Sequence, residues 1–147
     1  MSMQRRTLGR GRTLAALAGL VIVVGCVLPW WTLGGTPGIT AVGGNGLEGA
    51  GIVVFLCGIA TLALVALPYA AGDRPLGADR WLSFALLAGA GWLAFVIRFI
   101  VLIGSGAFQF SEPAEVFTNC TGLWLTAAGL VMLARAAYTM SRESFHR

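Results

Sequence analysis

The chain has no lysine and a single histidine, and charged residues make up only 11% of its 147 positions. Each shortage excludes something. An average soluble domain carries about 25% charge. A chain of this length has too much surface for its volume to hide a composition that is 57% hydrophobic. A soluble fold is therefore excluded. The one histidine, His146, stands in the C-terminal tail. This removes haem or chlorophyll held by a membrane histidine, and a histidine-based zinc site with it. No carboxylate lies in the middle of an apolar run, so a carboxylate proton relay has no members. No serine–histidine arrangement and no phosphate-binding glycine loop is found in the runs. The three cysteines, Cys26, Cys57 and Cys120, never stand at C-x-x-C spacing, so quinone-linked thiol oxidation lacks its motif. No cofactor and no metal are expected.

What is present is apolar length. A helix needs about 20 apolar residues to cross a bilayer core, and four runs meet that: 13–31, 47–69, 81–104 and 117–138. Each is apolar on every face, as lipid-embedded helices are. Barrel strands would alternate and run only about 10 residues. The expected fold is all-α, a single domain built as a four-transmembrane-helix bundle.

Charge sets the orientation. All ten basic residues are arginines. Arg5, Arg6, Arg10 and Arg12 precede the first run, Arg74 and Arg80 fall between the second and third, and Arg135, Arg142 and Arg147 close the chain. The other two loops have none. The positive-inside rule then puts both termini on the cytoplasmic side of the cell membrane. Glu48, Glu112 and Glu115 fall on the outer side. Trp30 and Trp31 at the outer end of helix one, with Trp81 at an inner end, read as interface anchors. The net charge of +4 is distributed at membrane edges and not in an aromatic-interleaved patch, which argues against nucleic acid as a partner. The first helix has a signal-like start, but no small-x-small cleavage site follows it, and it is read as retained.

The outer loop between helices one and two is glycine-rich, with Gly34-Gly35, Pro37-Gly38 and Gly43-Gly44, and a short strand is expected at 39–42. Asn45-Gly46-Leu47-Glu48 reads as a capping box opening helix two. Ser111 to Glu115 reads as the start of helix four.

Arg98 is the only charge well inside a run. A mid-membrane arginine costs about 2.5–3.5 kcal/mol, so it has a reason to be there. It lies about 9 Å from the outer end of helix three at 1.5 Å per residue, shallow enough to snorkel. The alternatives are a structural ion pair with an outer glutamate and a site for an anion or lipid headgroup. Gly91, Ala94 and Arg98 share one face of helix three; Glu48, Gly51, Phe55, Gly58 and Thr61 form a stripe on helix two. Small residues let membrane helices approach. If the two faces meet, Glu48 pairs with Arg98. A Cys26–Cys120 disulfide is geometrically open if helices one and four are neighbours; buried free thiols are the commoner arrangement. Ser83, Thr61, Thr121 and Thr126 read as packing hydroxyls, and Trp92 and Trp124 as packing or lipid-facing aromatics.

At Leu28-Pro29-Trp30 and Gly46-Leu47 the hairpin resembles the claudin-like four-helix pattern. There a tryptophan after helix one precedes a Gly-Leu-Trp element. Here Glu48 stands in place of the second tryptophan, the loop is shorter and the paired loop cysteines are missing, so no junction or pore function is carried over. In type, the chain resembles small bacterial four-helix membrane proteins of unknown function. Three readings follow. The leading one is a non-catalytic accessory or scaffold subunit, packing against other membrane subunits or copies of itself. The second is a small channel or transporter for an anion or anionic lipid, using Arg98. The third is a membrane enzyme acting on lipid or thiol, for which no catalytic constellation is visible.

Overall fold

A computed structural model describes residues 9–33, 37–70, 80–107 and 118–145. Arg74, Glu112, Glu115 and the expected helix start at 111–115 lie outside them. The elements are α1 (Arg10–Val27), β1 (Pro29–Leu33), β2 (Val42–Asn45), α2 (Gly51–Ala70), α3 (Arg80–Gly104) and α4 (Thr121–Phe145). All four helices are long and apolar enough to cross a membrane. The protein is thus a mostly helical, multi-pass membrane protein.

It is not purely α-helical. β1 and β2 form an antiparallel hairpin, pairing Trp31 with Gly44, Thr32 with Gly43 and Leu33 with Val42. The cause lies at Pro29. Proline has no amide to continue a helix and pushes the residue before it to extended geometry. Leu28 accordingly has ψ 158°, and α1 stops at Val27, short of the expected 31. The return strand is Val42–Asn45, later than the expected 39–42. The start of α2 is also corrected. Asn45 Oδ1 accepts from the Leu47 amide at 3.0 Å, closing a local turn and not a helix cap. The chain then bends through Gly49, whose φ of +55° suits glycine, and α2 begins only at Gly51. At the other end of the chain α4 runs past Tyr138 to Phe145.

The helices form a ring in which α1 packs on α2 and α4, and α3 also packs on α2 and α4. Neighbours are antiparallel: along the α1–α4 seam Gly11 meets Met140 while Gly25 meets Thr126. Lipid tails are as apolar as leucine, so these helices gain little from simply hiding apolar side chains, and close packing holds them. The seam shows how. A Cβ on Gly122 would lie 2.5 Å from Leu28 O and 2.6 Å from Gly25 O, so backbone rests on backbone. Ala15, Ala18, Ile22, Leu123, Leu130 and Leu133 fill the core beside it with essentially no exposure.

Candidate functional site

Most of the polar chemistry gathers at the hairpin end of the bundle, where the end of α1 poses a problem. Gly25 O would normally accept from the amide four residues on, but that residue is Pro29. Trp30 supplies the donor instead, its Nε1 lying 3.0 Å from Gly25 O. The next carbonyl, on Cys26, accepts from the Gly46 amide at 2.8 Å. Helix-end carbonyls are thus satisfied by the hairpin itself. Trp30 has no exposed surface, so it is not the interface anchor expected from its position. It plugs the bundle, edge-on to Phe95 of α3 at 5.5 Å. Phe95 in turn meets Trp92 at 5.7 Å and stacks on Phe99 at 6.3 Å. Trp31 points the other way and is half-buried against the hairpin, while Trp81 is half-buried at the opposite end of the molecule.

Arg98 reaches from α3 to the turn that precedes α2. Its Nη2 donates to Glu48 Oε2 at 3.0 Å, and its Nη1 lies over Gly49. The arginine side chain is 13% exposed and the glutamate 52%. A pair this open is worth about 1 kcal/mol or less by itself. Its larger effect is to spare Arg98 the cost of standing unpaired near lipid. Gly44 completes the arrangement: a Cβ there would lie 2.5 Å from Trp31 Nε1 and 2.6 Å from Glu48 Oε2. Trp31 Nε1 and Arg98 Nε are both buried and donate to no acceptor among the described residues. The result is a latch that fixes the hairpin, the entry to α2 and the last turns of α3 to one another.

The remaining residues singled out from sequence are placed as follows. Gly51 lies against Gly46 O. Gly58 faces Ile22 and Val23 of α1, while Gly91 faces Leu130 of α4 most closely and also meets α2 at Cys57, 3.7 Å from where its Cβ would stand. Ala94 is buried. Thr61 is buried, and its hydroxyl donates to Cys57 O at 2.7 Å. Thr126 likewise donates to Gly122 O at 2.8 Å. The Cys26–Cys120 bridge is not formed: all three cysteines are buried free thiols. Cys26 Sγ instead lies 4.0 Å from Thr126 Oγ1 in the α1–α4 seam. Among the described residues no three His, Cys, Asp or Glu side chains gather as a metal-binding group would.

No protein-family model, curated protein or solved structure matches the chain. The claudin-like likeness therefore rests on its few hairpin residues alone.

Two features escaped the sequence reading. One is Trp30 as a core residue, signalled by Pro29, which leaves Gly25 O without its helical donor. The other is the α1–α4 seam. Its signal was the spacing Gly122-x3-Thr126-x2-Gly129 opposite Gly11, Ala15, Ala18, Ile22 and Gly25.

Proposed function

We propose that this protein is a non-catalytic membrane subunit that works by packing against other membrane proteins or copies of itself. In this reading both termini are cytoplasmic and the latched hairpin faces outward, as the arginine distribution favours. The observation that carries the reading is where the polar groups stand. Arg98, a charge within a span, is engaged by Glu48 in holding the hairpin. The bundle interior is filled by Ile22, Val54, Leu123, Leu130 and Leu133, with Thr61 and Thr126 bonded to their own helices. That leaves the outer surfaces of the helices as the working part. In α2 and α3 only 28% of the spanning window is buried in the bundle, against 39% in α1 and α4. The α2–α3 side, with exposed Leu56, Leu86, Leu93 and Ile100, is the natural seat of a partner.

The test is affinity purification from the protein's own membrane in mild detergent. Stoichiometric recovery of another subunit, lost on Leu93→Arg but not on a control substitution facing away, supports the reading. Recovery of the protein alone, with anion flux in liposomes that disappears in Arg98→Leu, overturns it in favour of transport.

A further inference from the structure

At the end opposite the hairpin, α3 and α4 diverge around a furrow of about 410 Å³. Small residues line it, Ala85, Ala88 and Gly89 from α3 with Ala134 and Ala137 from α4. Trp81, Trp92 and Tyr138 form its rims. Its length is informative. From Trp81 to Trp92 the axis of α3 advances ~16 Å, and one leaflet of hydrocarbon is half of a core about 30 Å thick. The furrow therefore starts beside aromatics of the kind that sit at headgroup level and ends one leaflet deep, at Trp92. A partner helix would call for a furrow through both leaflets. A lipid acyl chain fits one.

A cation stands near the mouth. Arg142 lies with its guanidinium 5.0 Å from the centre of the Tyr138 ring. A guanidinium standing over a ring keeps N–H donors free at its edge, the geometry that suits phosphate. Glu143, the next residue, lies about 100° further round α4.

We propose that this furrow binds one anionic phospholipid, with an acyl chain along its small residues and the phosphate on Arg142. The site is independent of the protein–protein reading above, because it is assayed on the isolated protein. Gly89 offers a clean way to block it: a Cβ there meets nothing within 4 Å, so a larger side chain enters the furrow without disturbing the bundle.

The experiment is native mass spectrometry of the purified protein in mild detergent, titrated with dioleoyl phosphatidylglycerol or dioleoyl phosphatidylcholine. The expected result is one retained phosphatidylglycerol, held more tightly than phosphatidylcholine. Arg142→Gln lowers the affinity for the anionic lipid about fivefold, the share of one arginine at an anionic surface, and lowers that for the zwitterionic lipid less, because its choline already offsets the phosphate. Gly89→Leu lowers binding of both lipids about tenfold, equivalent to displacing about two acyl CH₂ groups. Its unfolding midpoint without added lipid, measured alongside, stays at or above that of the parent. Three results overturn the proposal: equal binding of the two lipids by the parent protein, an undiminished adduct in Gly89→Leu, or a dimer that Gly89→Leu converts to monomer, which would assign the furrow to a second copy.

Discussion

Replacing Gly122 by alanine adds one carbon at the tightest point of the α1–α4 seam. That carbon would lie 2.5 Å from Leu28 O and 2.6 Å from Gly25 O. Both are backbone atoms, so no side chain can swing aside, and the helices have to separate. Overpacking a close contact costs about 1–3 kcal/mol, and the rigid neighbours place this case near the upper end. Alanine returns about 1 kcal/mol of helix propensity over glycine. The net expectation is a loss of about 1–2 kcal/mol. The control is the same substitution at Gly89, where the new carbon meets nothing and only the propensity gain of about 1 kcal/mol remains. The two variants carry identical chemistry on helices of one protein and should differ by about 2–3 kcal/mol, most of the overpacking range. Reversible unfolding by SDS in mixed micelles, followed by the fluorescence of the five tryptophans, measures the difference. Equal stabilities of Gly122→Ala and Gly89→Ala would refute the backbone-on-backbone seam.

Three further predictions concern the hairpin end. A double-mutant cycle over Glu48→Ala and Arg98→Ala should give a coupling of about 0.5–1 kcal/mol, since Glu48 is half in solvent; a coupling of zero in SDS titration would remove the latch. Trp30→Phe keeps the aromatic plug but leaves Gly25 O without a donor, and should lose about 1–3 kcal/mol; unchanged stability would mean that the indole does not cap α1. Cys120 lies just outside α4, and burial pushes its thiol pKa above the ordinary value. The raised value favours the neutral thiol, so alkylation of the folded protein at pH 8.5 should be much slower than after unfolding in SDS; equal rates would contradict its burial.

Much of the fold was legible because bilayer thickness imposes a length that composition alone reveals. The four apolar runs overlap α1 to α4 closely. The helix ends were harder. Composition continues smoothly from Val27 through Trp31, yet Pro29 ends the helix, and the segment after it pairs with a glycine strand whose own β propensity is poor. Pairing there depends on Trp31 covering Gly44, a contact between residues far apart in the chain. At Asn45-Gly46-Leu47-Glu48 the local motif suggested a cap, but a tertiary contact decided the outcome, because Glu48 is turned toward Arg98. That pairing was legible from the depth of Arg98 and the antiparallel order of the helices. The separate partners of Gly58 and Gly91 were not. A small-residue stripe says that something approaches closely, and not which neighbour it is. In a ring of four helices, α2 and α3 each have two.

Whether this protein works in association with other membrane proteins or with itself, as proposed, is tested most directly by its native mass. The protein would be extracted with its surrounding lipid in polymer discs, without detergent, and its mass and composition determined. The expected result is a stable particle holding more protein than one 15.4 kDa chain, with a fixed stoichiometry of other subunits or of this chain. A particle holding a single chain and lipid, at every expression level, would contradict it.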